Sequence, residues 1–147
     1  MIDSTCKFDE SARLYGPLNK LVMGTNCRID AFCVLTWGEE GLKIGNDVHI
    51  SSGVYIFGAS SKVTIGNGCF LSSRSTIYTA SDAVSNDCLI GPAFEMKDRN
   101  VISGDVRLED CSGVLTGGII MPGVVLGIAS VVGANSICKR DLWPGGV

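Results

Sequence analysis

Aromatic and charged residues are scarce in this chain of 147 residues, at 7% and 18% of the sequence. The chain is therefore poor in the large rings that usually fill the core of a β-sandwich. Low charge together with 46% apolar residues excludes an intrinsically disordered chain. The net charge of −3 gives no reason to expect nucleic acid or an anionic membrane as a partner. The length predicts one domain.

Several local motifs are also missing. Charged residues are spread through the first 30 positions, which leaves no apolar run for a secretory signal, so we expect a cytoplasmic protein. No two of the seven cysteines are separated by two residues, which excludes a CxxC zinc or redox motif. We expect reduced thiols that fill small apolar spaces, and no metal. The uncharged stretch from Cys111 to Cys138 could span a bilayer, but its glycines and regular repeat indicate a soluble structure.

What the sequence does contain is a repeat of six residues. Apolar residues, almost all aliphatic, occupy this period at Met23, Ile29, Leu35, Ile44, Ile50, Ile56, Ile65, Leu71, Ile77, Leu108, Val114, Ile120, Leu126, Val132 and Cys138. A helix repeats at 3.6 residues and a strand at 2, so six residues taken in threes predict a triangular coil of three short strands. The predicted fold is an all-β parallel β-helix of about five coils, with small inward residues that include Cys27, Cys33 and Cys69.

Every insertion falls at the same corner of this coil. Two coils carry three extra residues after their third position, and the step from Ile77 to Leu108 leaves room for a 25-residue insertion there. We predict a lead-in and first partial coil over residues 1–22. A β-helix domain follows over residues 23–147, with an inserted loop at about 79–104. So long a loop is usually functional, and a short stack with surplus apolar residues predicts an oligomer.

Four segments resemble the bacterial hexapeptide-repeat acyltransferases, and they are Ile44–Ile50, Ile77–Asp82, Met121–Gly127 and Gly133–Ser136. The resemblance covers about residues 12–147 and is greatest to sugar O-acetyltransferases of surface-polysaccharide pathways, related to galactoside and maltose acetyltransferases. It implies a left-handed β-helix, against the usual right-handed crossover. It also implies a homotrimer with active sites between subunits, acetyl-CoA as the acyl donor and a sugar as the acceptor.

The chain departs from this family in two places. Relatives carry a catalytic histidine early in the loop, in a Thr-Gly-His setting, whereas Thr79-Ala80-Ser81 stands here. Relatives also continue through a Gly-x-Pro-Ala-Lys segment beyond the position of Val147. The contacts that this segment makes with CoA in relatives are therefore an open question for this chain.

Two residues compete for the role of the general base, which acyl transfer to a hydroxyl requires. His49 is the only histidine, its ordinary pKa is closest to 7, and the repeat places it outward at a corner. Asp82 stands where the family places its base, but a carboxylate is a weak base unless burial raises its pKa. Asp82 could instead bind the acceptor or orient His49 of a neighbouring subunit. The plain alternatives are a surface histidine without a role and an aspartate that caps the loop.

The resemblance also implies the binding residues. For the acceptor they are Tyr78, Ser81 and Asp82. For acetyl-CoA they are Thr116, Gly117, Gly118, Ala134, Asn135 and Lys139, because small residues let the pantetheine arm lie against the backbone. The plain alternative is that these are ordinary corner residues of a β-helix.

Our main prediction is therefore an acetyl-CoA-dependent enzyme that acetylates a sugar hydroxyl. The first alternative is an N-acetyltransferase acting on an amino sugar of a nucleotide. The second, from another class, is a non-catalytic β-helix that serves as a scaffold or oligomerisation module, although a scaffold has no need of a 25-residue insertion. The related β-helical carbonic anhydrases need three zinc-binding histidines, which a chain with one histidine does not supply.

Overall fold

A computed structural model of the protein describes residues 2–83 and 87–147. The chain winds into a left-handed parallel β-helix of about six turns, as the repeat and the resemblance predicted. Three parallel sheets form the faces of a triangular prism. The stack has one turn more than the predicted five, because a complete first turn lies between Lys7 and Met23.

Each face consists of strands of two to four residues, numbered here in chain order. The first face stacks β1 (Lys7–Phe8), β4 (Arg28–Ile29), β7 (His49–Ile50), β10 (Phe70–Leu71), β15 (Gly113–Val114) and β18 (Val131–Val132). The second face stacks β2 (Arg13–Tyr15), β5 (Val34–Trp37), β8 (Tyr55–Gly58), β11 (Thr76–Tyr78), β16 (Ile119–Ile120) and β19 (Ile137–Cys138). The third face stacks β3 (Leu21–Met23), β6 (Leu42–Ile44), β9 (Val63–Ile65), β14 (Val106–Leu108) and β17 (Val125–Leu126).

Helix is confined to two 3-10 turns, at Leu18–Lys20 and Met96–Asp98, in the part of the chain that the structure describes. Within residues 2–83 and 87–147, no helix has the length and apolar character needed to cross a membrane.

The periodic residues form ladders along the inside of the prism. On the first face, for example, Ile50 is in register with Ile29 on one side and with Leu71 on the other. From Ile29 onward every residue of the six-residue period is buried, with at most 8% of its surface exposed. Burying one aliphatic side chain contributes about 1.5–3 kcal/mol, so these ladders are the main source of stability.

The predicted small inward cysteines are also confirmed. Cys27, Cys33 and Cys69 are at most 2% exposed. Each Sγ donates to a backbone carbonyl of the following turn at 3.0–3.1 Å. Burial raises the pKa of all three thiols, so they stay protonated and unreactive.

Three corners join the faces, and we number them by the faces that they follow. The first corner lies between the first and second faces, the second between the second and third, and the third between the third and first. The 25-residue insertion leaves from the second corner as predicted, and begins as an antiparallel hairpin of β12 (Ala80–Asp82) and β13 (Val101–Ser103). Residues 84–86 of the predicted loop lie outside the described residues.

Side-chain amides and a carboxylate link the turns along the third corner. Asn46 Oδ1 accepts from the backbone N–H of Thr25, and Asn67 Oδ1 accepts from that of Asn46, both at 2.9 Å. Asp110 Oδ1 accepts from the N–H of Asn67 at 2.8 Å. This last bond joins the turns on either side of the insertion, so the prism continues past the loop without a break.

Two serines at equivalent positions of the third corner give a test of the packing. Ser130 Oγ is buried without a hydrogen-bond partner among the described residues. We expect Ser130→Ala to raise the free energy of unfolding by about 1 kcal/mol, because it removes an unpaired buried hydroxyl. The control is Ser112→Ala, one turn earlier, where Oγ donates to Glu109 O at 2.7 Å. It should lower stability by about 1 kcal/mol in urea unfolding. Equal losses in the two variants would contradict this account.

Candidate active site

His49 is paired with an acidic residue on the outside of the prism. The histidine is the first residue of β7 and points away from the core, with 45% of its side chain exposed. Its Nε2 lies 2.9 Å from Oδ2 of Asp30, which begins the first corner one turn earlier. Arg28 Nε donates to the other oxygen of that carboxylate at 2.6 Å. The Asp30 side chain is only 18% exposed, so the pair is fixed at the edge of the corner.

The Asp30 carboxylate determines which nitrogen of His49 carries the proton. Burial alone would raise the pKa of Asp30, but the hydrogen bonds from His49 and Arg28 outweigh it and hold this pKa below its ordinary value. An ionised carboxylate only accepts hydrogen bonds, so Nε2 of the histidine must be the N–H that donates to it. In the neutral ring, Nδ1 then keeps its lone pair and is able to accept a proton.

Asp82 lies in a different setting. It ends β12 at the base of the loop, where Arg99 Nε and Nη2 donate to its two oxygens at 2.8 and 2.9 Å. The backbone N–H of Gly91 adds a third bond at 3.1 Å. The Arg99 guanidinium and the Gly91 N–H hold the pKa of Asp82 below its ordinary value. The carboxylate therefore closes the loop upon itself and is a poor proton acceptor.

The other two predicted acceptor residues lie beside this corner. Tyr78, on β11, stacks on Phe57 at a ring distance of 5.1 Å, and Phe57 stacks on Tyr55 at 5.8 Å. These rings form an aromatic row on the outside of the second face. Ser81 Oγ donates to the backbone carbonyl of Asp82 at 3.2 Å. The structure thus brings the acceptor candidates together at the second corner, while His49 lies toward the first.

Five of the six predicted CoA residues meet on the first corner. Thr116, Gly117 and Gly118 form this corner in the fifth turn, and Ala134 and Asn135 form it in the sixth. The Asn135 N–H donates to Thr116 O at 2.9 Å. Gly117 has φ +69°, and a Cβ there would collide with the Asn135 amide. Glycine suits this conformation beside the Asn135 amide, and the row leaves the backbone accessible.

Lys139 does not join this row. It follows β19 on the second face and therefore opens the second corner of the last turn, where it is exposed. Over residues 2–83 and 87–147, no three histidine, cysteine, aspartate or glutamate side chains are grouped to hold a metal ion.

Sequence reasoning missed Asp30 and Arg99. A signal for Asp30 was present, because a coil of 21 residues stacks Arg28 beneath His49 and leaves Asp30 two positions further on. No comparable signal existed for Arg99, since the inserted loop has no period that would indicate its partners.

Comparison with known proteins identifies the family. No family model matches the sequence. The dTDP-4-amino-4,6-dideoxy-D-glucose acyltransferase of Escherichia coli is 32% identical over 140 residues, which cover 95% of this chain and 72% of that protein. The chain belongs to this family of acyltransferases.

Solved structures agree with this assignment. AntD, an N-acyltransferase from Bacillus cereus in complex with dTDP and 3-hydroxybutyryl-CoA, matches with a TM-score of 0.85 at 31% identity, over 93% of this chain and 71% of AntD. A serine-to-alanine variant of AntD, in complex with dTDP-4-amino-4,6-dideoxyglucose and coenzyme A, has the same TM-score at 30% identity, over 93% and 72% of the two chains. A hexapeptide-repeat acetyltransferase from Vibrio cholerae, at 19% identity over 95% and 63% of the two chains and a TM-score of 0.52, shows the fold alone.

These comparisons confirm a hexapeptide-repeat acyltransferase and adjust the finer prediction. The Escherichia coli enzyme is named for an amino sugar of a nucleotide, and AntD binds the same sugar nucleotide. This favours the alternative of N-acylation over our main prediction of O-acetylation. The predicted relation to galactoside and maltose acetyltransferases is not confirmed.

The ion pair at the base of the loop gives a second prediction. Asp82→Asn removes the charge that holds Arg99, so we expect trypsin to cleave after Arg99 faster while the thermal unfolding of the β-helix is unchanged. The pKa of Asp82 is lowered on folding, so the closure is complete above the ordinary aspartate pKa of about 3.9 and is lost as the pH falls through the folded value.

The control for this experiment is Asp98→Asn, an exposed loop carboxylate in the same 3-10 turn as Lys97. It should leave the cleavage rate unchanged. Equal cleavage of the wild type and Asp82→Asn would show that the pair does not close the loop.

Proposed function

We propose that this protein is an acyl-CoA-dependent N-acyltransferase that acylates the amino group of an amino sugar carried by a nucleotide. The observation that carries the proposal is the 32% identity, over 95% of the chain, to an acyltransferase for dTDP-4-amino-4,6-dideoxy-D-glucose. The structure supports it with a histidine–aspartate pair and an accessible backbone row on the same corner of the prism.

The reaction assigns a role to each group. The amine lone pair attacks the thioester carbonyl, the C–N bond forms, and the C–S bond breaks to release the CoA thiolate. The ammonium form of the acceptor must lose one proton before the attack, and the new C–N centre loses another. We assign the acceptance of a proton to Nδ1 of His49, with Asp30 as the positioning residue that fixes the ring. Backbone N–H groups of the first corner are the candidate donors to the developing oxyanion.

The row of small residues on the first corner suits CoA as the acyl donor. Thr116–Gly118 and Ala134–Asn135 present short side chains in two successive turns, so an extended pantetheine arm can lie against them. Because Lys139 lies at another corner, the only role that we assign to it is binding of the CoA phosphates. His49 lies two turns from this row, about 10 Å along the prism axis at the usual strand spacing.

The functional unit that we propose is a homotrimer. The loop with Ser81 and Asp82 leaves from one edge of the second face, and the His49–Asp30 pair lies toward the opposite edge. A neighbouring copy would bring a loop to the first corner. The loop carries five apolar side chains that are 44–66% exposed, which suits them to burial against a second copy. These are Leu89, Ile90, Phe94, Met96 and Ile102.

The direct test is to mix the protein with acetyl-CoA or 3-hydroxybutyryl-CoA and dTDP-4-amino-4,6-dideoxyglucose, and to follow the release of thiol and the mass of the sugar nucleotide. We expect the acyl group on the amino sugar, and no product from the analogue that carries a hydroxyl in place of the amine. Product from the hydroxyl analogue alone would overturn the proposal in favour of O-acylation.

In this assay, His49→Ala should lower kcat about tenfold near pH 7. This is less than the 10²–10⁴-fold usual for a general base, because part of an amine acceptor is already deprotonated. The loss should shrink as the pH rises and solvent deprotonates more of the acceptor. Asp30→Asn should show a smaller loss with the same pH trend. The control is Asp9→Asn, at the equivalent corner position one turn earlier, where the carboxylate binds Ser11. A pH-independent loss in His49→Ala would argue against proton acceptance.

Mixing two impaired variants tests the shared site. We expect His49→Ala and a variant lacking residues 87–98 to regain part of the activity when they are unfolded and refolded together, because some sites then combine an intact histidine with an intact loop. Light scattering should report three copies for each variant. A monomer that is fully active, or mixtures without regained activity, would exclude a site shared between subunits.

A further inference from the structure

A cleft of about 590 Å³ lies on the first corner, in the turns that precede the proposed CoA row. Its lining includes Phe32 from the second turn, Gly53 and Tyr55 from the third, and Arg74 from the fourth. Phe32 is 71% exposed and Tyr55 40% exposed, so two aromatic rings face solvent across a corner that is otherwise built of small residues. Tyr55 belongs to the aromatic row of the second face, but neither the fold nor the proposed chemistry at His49 accounts for Phe32.

The backbone makes Phe32 and Arg74 unusual choices. They occupy the third position of the first corner, where every residue from the second turn to the sixth has positive φ. Gly53, Gly117 and Asn135 suit this left-handed conformation. Phe32 and Arg74 adopt it at φ 60°, which is unfavourable for bulky side chains. Burial does not compensate, since both side chains are exposed. Strain of this kind is found mostly at functional sites.

The spacing of these residues defines a slot. Two turns separate Phe32 from Arg74, about 9.6 Å at the usual strand spacing, and Gly53 lies between them without a side chain. The Cγ of Arg74 lies 3.4 Å from the point that a Cβ on Gly53 would occupy, so the arginine stem runs along this glycine. The result is an exposed aromatic ring on one side of Gly53 and, on the other, an exposed arginine whose stem contacts this glycine.

We propose that this cleft binds the nucleotide part of a substrate, with the base stacked on Phe32 and a phosphate bound by Arg74. Aromatic side chains stack on any nucleobase, and a guanidinium group is the preferred partner of a phosphate. The site continues directly into the proposed CoA row, because the N–H of Gly117 donates to Ser73 O at 3.1 Å. The inference rests on the proposed function, whose two substrates both contain such a group. One is the nucleoside diphosphate of the acceptor, and the other is the phosphorylated ADP part of CoA.

The test is calorimetric titration of the whole protein with dTDP, with thymidine and with CoA. Phe32→Asn and Arg74→Asn remove the two side chains but keep a residue that this fold accepts at positive φ, as Asn26 and Asn135 show. We expect Phe32→Asn to weaken the binding of dTDP and thymidine alike, by about 5- to 100-fold. Arg74→Asn should weaken dTDP by about tenfold and leave thymidine unchanged, because thymidine has no phosphate. Neither variant should have a lower Tm.

The matched control is Cys111→Asn, the same kind of change at positive φ on the third corner, which should leave all three affinities unchanged.

Weakened CoA binding with unchanged dTDP binding would also support the site and would identify CoA as the source of the nucleotide. Unchanged affinities for both ligands would overturn it. So would a change in the oligomer mass of Phe32→Asn, since the ring would then be a subunit contact. If the wild type acylates the amino sugar while these variants bind normally, only this inference fails. If the wild type binds neither ligand, the proposed function fails with it.

Discussion

Hydrogen bonding between successive turns is the constraint on which the rest of this molecule depends. Each strand of the prism faces pairs in parallel with its counterpart one turn away, so a residue's neighbours along the prism are the residues at the same position of the period. Inside, this rule stacks aliphatic residues into ladders such as Ile29, Ile50 and Leu71. Outside, it stacks the residues of each corner into a row along the axis, with about 4.8 Å between successive turns. Sites on such a protein are therefore lines parallel to its axis, and an extended substrate suits them.

The same constraint decides where the long loop can leave. An insertion must return to the position from which it departed, or the strands beyond it lose their register. The loop is closed at its base, where the Gly104 N–H donates to Thr79 O at 3.0 Å, and the Val106 N–H then donates to Lys62 O of the turn before. Because the insertions all use the second corner, the first corner stays short in every turn. That regularity keeps its backbone accessible from the second turn to the sixth.

Most of the fold was predictable from the period alone, because six residues in threes leave one arrangement of strands and corners. Even the first turn, predicted only as a partial coil, obeys the period, since Phe8, Leu14 and Met23 pair with Ile29, Leu35 and Ile44. The candidate site was less predictable. His49 was visible as the only histidine, but its bond to Asp30 depends on side-chain rotamers that no repeat determines. Asp82 and Arg99 meet across an insertion without periodicity, so their pairing could be found only in three dimensions.

The two carboxylates bear on our proposal of an amine, rather than a hydroxyl, as the acceptor. Asp82 is bound by Arg99, which lowers its pKa and makes it a weaker base. Asp30 is ionised and holds Nε2 of His49, which leaves one imidazole nitrogen, on a half-exposed ring, as the proton acceptor that we propose. A sugar hydroxyl has to be deprotonated as it attacks, and one such nitrogen must then supply the whole of that assistance. A neutral amine is nucleophilic enough to attack without losing a proton in the same step, so its protons can leave before and after the C–N bond forms. The residues that the fold brings together match this smaller demand.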